Sequence, residues 1–256
     1  MNLLKIGFIV VICLLLAYIT YSRKLLNLGG SITAFFVGII LAFQGGITWI
    51  ILLLFFLGSA FIATRYRFQY KKERGFQEGD RGERGVMNVL ANGIIPVLLA
   101  LFHLPNHDAN ILHQIGFLEH KLAIFLFITA VAGAASDTLA SEMGILSDKT
   151  YLITTLKKVK PGVNGGVSVY GEIWAMIGSL YTFTIAYIFF YFFDGDVLPM
   201  DWILIGIAMG FVSCQIDSIL GALFERKGYI GKSTVNLLSI LTSVVITGMI
   251  IWMIGY

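Results

Sequence analysis

KLAIFLFITAVAGAASDTLAS, residues 121–141, decides the class of fold. Between Lys121 and Asp137 it carries no charge, and its apolar side chains reach all the way round a helix. About 20 apolar helical residues cross the hydrocarbon core of a bilayer, and a helix apolar on every side cannot have water as its solvent. Seven further stretches have the same character, at 3–21, 30–44, 47–64, 86–104, 168–192, 202–223 and 234–255. Over the whole chain 57% of residues are hydrophobic and 13% charged, where a soluble domain is about a quarter charged. The sequence therefore predicts an all-α, polytopic transmembrane helical bundle of about eight helices, forming a single integral membrane domain over residues 1–256. The stretch 30–44 is short and Gly-rich, and is expected to be tilted, broken or only partly inserted.

The charges test this division independently. With the N-terminus outside, connections 22–29, 65–85, 142–167 and 224–233 lie in the cytosol and hold 16 of the 18 Lys and Arg residues, leaving Lys5 and Lys121 outside. Cytosolic loops of membrane proteins carry such an excess, and a miscounted helix would scramble it. Arg23 and Lys24 follow the first apolar run directly and no small-x-small cleavage site intervenes, so this run reads as a retained anchor. The expected location is the cell membrane, multi-pass. A net charge of only +3 speaks against a nucleic-acid partner. Cys13 and Cys214 both fall inside apolar runs and read as buried thiols.

Polar residues within or beside the spans are where chemistry is expected, because an ionised side chain at bilayer depth costs about 3 kcal/mol or more. Asp137, Glu142, Glu172 and Asp217 qualify, each at the cytosolic end of its helix. Asn88 and Asn92 begin the fourth span at the same level, and Ser233 and Asn236 begin the eighth. The pairs Asn88/Asn92, Asp137/Ser141, Ser168/Glu172 and Ser213/Asp217 are four apart, so each shares a helix face. Oxygen donors without His or thiolate suit Mg²⁺, which is held by one or two carboxylates together with substrate phosphates.

Two glycine-containing loops flank this set. PGVNGGVS (161–168) leads into the sixth span, where Gly165 and Gly166 permit close backbone approach beside a helix N-terminus able to receive an anion. GYIGKST (228–234) leads into the eighth; its spacing is not that of a Walker motif, yet Lys232 stands at a helix start where it can hold phosphate, with Ser233 as a plain N-cap the simpler reading. Segment 65–85, RYRFQYKKERGFQEGDRGERG, reads either as a flexible, lipid-facing basic loop or as a loop that a nucleotide approaches. His103, His107, His113 and His120 fit no zinc spacing and are expected to be solvated loop residues. Gly206 and Gly210 fit close helix packing.

The blocks RGVMNVLANG (84–93), SDTLASEMG (136–144), PGVNGGVS (161–168), DSILGALFE (217–225) and STVNLLS (233–239) resemble, nearly end to end and in order, a membrane family catalogued as domain of unknown function 92. That family includes the vertebrate transmembrane protein 19 group and a plant chloroplast phytyl-phosphate kinase. Its glycine loop usually carries Thr before the Asn; Val163 stands here, which removes a hydroxyl from that position. Polyprenol kinases and CTP-dependent phosphatidate cytidylyltransferases are distantly similar, with an Asp-Ser-x-x-Gly helix end and Mg²⁺. The resemblance implies transfer of a phosphoryl group from a nucleoside triphosphate, CTP foremost, to a prenyl phosphate or prenol-type lipid. It implies Asp137, Glu142 and Asp217 as catalytic and Mg²⁺ ligands. Asn92, Asn164 and Asn236 would orient phosphates, with Lys232 neutralising charge; Asn88, Gly165, Gly166, Ser168 and Ser233 complete the expected nucleotide-binding set.

A lipid or small-molecule transporter or flippase is the rival reading, although transporters bind at the bilayer midplane between repeats. A structural role would leave the carboxylates unexplained, and the oligomeric state, including a homo-oligomer, stays open. Orientation is checked directly: cysteines replacing Lys72, Lys158 and Lys227 are expected to react with an impermeant maleimide only in permeabilised cells, and one replacing Asn110 in intact cells. Labelling of all four from outside would reverse the topology.

Overall fold

The structure is a computed structural model and describes residues 3–77, 82–103 and 119–255. Eight apolar helices of 17 residues or more follow one another: α1 (Leu3–Ser22), α2 (Leu28–Gln44), α3 (Ile47–Arg65), α5 (Val86–Phe102), α6 (His120–Gly144), α7 (Val169–Phe189), α8 (Met200–Leu220) and α9 (Lys232–Met253). A short α4 (Phe68–Glu73) sits in the connection after α3. Helices α3, α6, α7, α8 and α9 are long and apolar enough to cross a membrane; the apolar stretches of α1, α2 and α5 are shorter. The chain is thus a polytopic, all-α membrane protein. Every predicted apolar stretch is found as a helix, with ends displaced by only a few residues over the described residues. The Gly-rich second span is one unbroken helix, started by Asn27, whose Oδ1 accepts from the Gly30 amide (2.8 Å).

Helix α6 is the axis of the bundle. Every residue from Ala123 to Ser136 is buried, and α3, α5, α7, α8 and α9 pack around it. Small residues make this approach feasible. A Cβ on Gly178 would lie 2.9 Å from the Ala135 carbonyl carbon, and one on Gly133 would lie 2.6 Å from Ser213 Oγ. Gly206 and Gly210 serve the packing expected of them, against the Phe183 ring and against Ser179 and Ala132. Ser136 Oγ donates to the Ala175 carbonyl (2.9 Å) and Ser179 Oγ to that of Ile207 (2.7 Å), tying α6 to α7 and α7 to α8. Cys13 and Cys214 are buried free thiols.

The basic connections gather at one end of the bundle, the end their charge assigns to the cytosol. Two of them have more structure than the sequence suggested. Residues 150–167 form a three-stranded antiparallel sheet in the order β2–β1–β3, with β1 (Thr150–Leu152) between β2 (Lys158–Val159) and β3 (Gly166–Val167). Strands of two or three residues leave no period to read in a sequence. Segment 65–85 is anchored rather than loose over its described part: Lys71 turns inward and is buried, and the Arg84 backbone bonds to Leu25 and Asn27.

The opposite end departs from expectation too. His107 and His113 lie outside the described residues, but His103 is buried and His120 half-buried, so these two are not solvated. His103 Nδ1 meets the Gln44 carbonyl (3.1 Å), its Nε2 meets His120, and His120 Nε2 meets the Asp196 carboxylate (3.1 Å). The chain of bonds clasps the outer ends of α2, α5, α6 and α7 together, beneath the ring of Trp49. Burial pushes the His103 imidazole below the ordinary histidine value of about 6.5, with His120 adding to the effect and Gln44 and Asp196 opposing it. The unfolded chain therefore binds more protons than the folded one, so the stability from this group is present above about pH 6.5 and lost as pH falls through the depressed folded value. Melting temperature of the detergent-solubilised protein is expected to drop between pH 7 and 5, and to drop less steeply in His103→Gln.

Candidate functional site

A cavity of about 280 Å³ opens at the basic end, where α6 ends, α7 begins, α8 ends and α9 begins. Asp137 of α6, Glu172 of α7, Asp217 of α8 and Lys232 of α9 line it. It is roofed by the glycine loop, with Asn164, Gly165, Gly166 and Ser168, and by Gly75 and Phe76 from the segment after α4. The loop lies so close because of glycine. Gly165 has φ +78° and a Cβ there would stand 2.4 Å from that of Ala222. Its carbonyl accepts from Ile153 N (3.0 Å), which fastens the loop to the small sheet.

Asp217 is the most elaborated of the carboxylates. Ser239 Oγ donates to its Oδ2 (3.3 Å). Asn236, with its amide nitrogen turned inward, donates to the same oxygen (3.2 Å) and to the Lys232 carbonyl (2.9 Å). Lys232, Asn236 and Ser239 follow at four and three residues, so one face of α9 addresses Asp217. Asp137 and Glu225 act on Asp217 through space, and Lys232 opposes them. Glu172 accepts from Gln215 Nε2 (2.6 Å), and Ser141 Oγ lies 3.5 Å from Asp137 Oδ1. Ser168 caps α7 by accepting from Gly171 N (3.1 Å) and donates to the Gly144 carbonyl (3.3 Å), so its hydroxyl is engaged in joining α7 to α6.

Other expected members stand apart. Glu142 does not line the cavity: its carboxylate takes Lys71 Nζ (2.6 Å) and Thr64 Oγ1 (2.7 Å) on the α3 side of α6. Five residues beyond Asp137 is about 140° round a helix at 3.6 residues per turn, which turns it away. Asn92 is buried and donates to the Asn88 carbonyl (2.8 Å) within α5. Asn88, Ser233 and Asn236 line a neighbouring cavity of about 340 Å³ between the starts of α5 and α9, which Lys232 also borders. The N-cap of α9 is Gly231, without a side-chain bond, so Ser233 is not the cap. Residues missed by sequence reasoning are Gly75, Phe76, Gln215, Ser239 and Glu225. Glu225 comes from a π-helical turn, Gly221–Glu225, that prolongs α8, and such turns recur at functional sites. Ser239 was available from the sequence as the residue seven on from Lys232.

The donors around the cavity are carboxylate, hydroxyl and amide oxygens, a set suited to a hard cation such as Mg²⁺. Among the described residues no three His, Cys, Asp or Glu side chains form a ready-made metal cluster. Asp137 and Asp217 are the cavity carboxylates on α6 and α8, and Mg²⁺ commonly takes only one or two protein carboxylates.

The family model described as integral membrane protein DUF92 matches residues 11–252. The chain belongs to this family. An uncharacterized membrane protein of Methanocaldococcus jannaschii is 36% identical to it over 232 residues, 90% of this chain and 87% of that one. Protein PGR of Arabidopsis thaliana is 32% identical over 88% of this chain and 81% of its own length. Protein VTE6, chloroplastic, also of Arabidopsis, is 28% identical over 73% of this chain and 53% of its own, so the match spans about half of that relative. No solved structure matches the chain.

Within this DUF92 chain Glu142 and Lys71 form a pair that can be tested apart from the cavity. Removing one member of a buried ion pair strands the other, at about 3–5 kcal/mol. Lys71→Met and Glu142→Gln are each expected to lower stability by about that order, and the double variant to recover most of it, read as a double-mutant cycle on denaturation in detergent.

Proposed function

We propose that this protein is a phosphotransferase of the cell membrane that moves a phosphoryl group from a nucleoside triphosphate, CTP first among candidates, to a prenyl phosphate or prenol-type lipid at the cytosolic face. The observation that carries this reading is one cavity at the basic end that joins Asp137, Asp217 and Lys232 to a glycine loop pressed against α8. Phosphoryl transfer needs positioned charge rather than a covalent nucleophile, and this is a site of positioned charge. The resemblance of the five sequence blocks to a family with a phytyl-phosphate kinase supports the same chemistry.

In this reading Asp137 and Asp217 hold Mg²⁺ on the nucleotide phosphates, and the ion when bound neutralises the charge spread over the transferred group. Lys232 meets the phosphates from the opposite wall. The uncapped start of α9 adds backbone N–H groups and the positive end of a 22-residue helix. Ser239 and Asn236 both donate to Oδ2 of Asp217, which fixes the rotamer of this cavity carboxylate. Gly165 lets the loop backbone press against Ala222 at the end of α8, which sets the loop along the edge of the cavity. The cavity's position at a helix end, rather than at the midplane, favours an enzyme drawing a soluble donor and a lipid acceptor together over a transporter.

Asp217→Asn keeps size and removes the charge that would bind the ion. Thermal stability is expected to hold or rise, because a neutral amide near the membrane costs less than a carboxylate. Phosphoryl transfer from labelled CTP, ATP or GTP to a panel of prenyl alcohols and phosphates is expected to fall by about 10²-fold or more. Asp201→Asn, at the far end of α8, is the control and should stay near wild type. Loss of stability first, with activity falling only in step, would make Asp217 a structural residue.

A further inference from the structure

The last two turns of α6 have two working faces. Asp137, Ala140, Ser141 and Gly144 look into the polar cavity, whereas Leu139 and Met143 look the other way. The start of α7 divides likewise, with Gly171 and Glu172 on the cavity and Tyr170 and Trp174 on the far side. On that far side lies a groove of about 1000 Å³ between α3 and α7, floored by α6. On α3 it runs from Ile51 to Ala63, a rise of about 18 Å at 1.5 Å per residue and more than half of the ~30 Å hydrocarbon core, with Tyr66 just past the helix end. Phe55, Ile62 and Ile177 on its walls are exposed, so it opens sideways to lipid.

We infer that this groove holds the single hydrocarbon chain of a lipid phosphate, with the head at the basic end beside the polar cavity; this deepens the reading given above and rests on it. Four features select such an occupant. The lining is aliphatic and aromatic, and its polar pair, Ser59 and Tyr181, satisfies itself by a 2.6 Å hydrogen bond across from α3 to α7. Toward the far end the rings of Phe55 and Phe189 approach to 5.7 Å and narrow the groove, which sets a preference on chain length. At the near end the charge suits an anionic head: the Arg67 guanidinium stands over the ring of the groove residue Tyr66 (5.8 Å), whereas Lys71 is buried against Glu142 and lends no charge there. The seam where Gly144 and Gly171 touch separates groove from cavity and ends at that same mouth, so a head group has only the seam's end to round.

Gly58 gives a clean test, because it lines the groove and a Cβ there would meet nothing within 4 Å. Wild type in nanodiscs is irradiated with geranyl, farnesyl or geranylgeranyl monophosphate carrying a terminal diazirine, and labelled peptides are mapped by mass spectrometry, without nucleotide. The geranylgeranyl probe is expected to label α3 and α7 near Phe55 and Phe189, and unlabelled geranylgeranyl phosphate, but not excess phosphatidylcholine, to compete. Gly58→Trp should cut that labelling at least 10-fold while sparing the geranyl probe. Phe55→Ala with Phe189→Ala should extend labelling to a longer chain, and this second variant serves where Gly58→Trp misfolds. Equal competition by phosphatidylcholine, labelling outside α3 and α7, or an unchanged chain-length profile in both variants would overturn the assignment. A protein that labels as expected but transfers no phosphoryl group would instead overturn the kinase reading and leave the groove standing as a lipid-phosphate site. Transfer with an unaltered chain-length preference in the variants would do the opposite.

Discussion

A helix buried on every side can accept five neighbours only where its side chains, and theirs, are small at the crossings. Helix α6 meets that condition through Ala130, Ala132, Gly133, Ala134, Ala135 and Ser136, answered by Gly178, Ser179, Gly210 and Ser213. Lipid offers no hydrophobic drive for one apolar helix to leave it for another, so association depends on close van der Waals contact and a few hydrogen bonds. The Ser136–Ala175 and Ser179–Ile207 bonds supply the latter. Overpacking by one Cβ at Gly178 would part α6 from α7 along the seam that continues to Gly144 and Gly171.

That seam also arranges the chemistry. Because α6 and α7 touch along their basic ends, polar residues on one side and apolar residues on the other are kept within a helix diameter without mixing. Asp137 and Glu172 can stay hydrated from the basic end while Leu139 and Trp174 stay in contact with lipid-like surroundings. The proposed transfer from a water-soluble donor to a membrane-dissolved acceptor would need such a partition. Here it results from the 100° step between successive residues of a helix, with no dedicated wall.

Charge and hydropathy made the bundle legible: all eight spans and the gathering of Asp137, Asp217, Lys232 and the 164–168 loop at one end follow from where Lys, Arg and carboxylates fall. What escaped were features decided by geometry below the scale of a span. Glu142 shares a depth with Asp137 but not a face, and depth was the coarser of the two measures. Glu225 joins the cavity through a π-helical turn, which hydropathy does not register. The strands at 150–167 are too short for any alternation, and their pairing depends on where α6 and α7 place the loop ends. His103 and His120 looked solvated by virtue of lying near a loop, yet each is held by partners distant in sequence, Gln44 and Asp196.

The carboxylates bear on why the site is at a helix end at all. Asp137, Glu172, Asp217 and Glu225 face one cavity with Lys232, an excess of negative charge that would cost several kcal/mol per group at the bilayer centre. Helix ends lower that cost by their access to water, since the positive starts of α7 and α9 are offset by the negative ends of α6 and α8 at the same depth. Hydrogen bonds from Gln215 and Ser239 lower it further. In the proposed reading a cation would offset the negative charge that remains, and the phosphates accompanying it would meet Lys232 and the helix starts. Lys71 and Glu142, by contrast, neutralise each other on the α3 side of α6. Their mutual pairing keeps Glu142 turned away from the cavity and holds α4 against α6, so that Gly75 and Phe76, which follow α4, border the cavity.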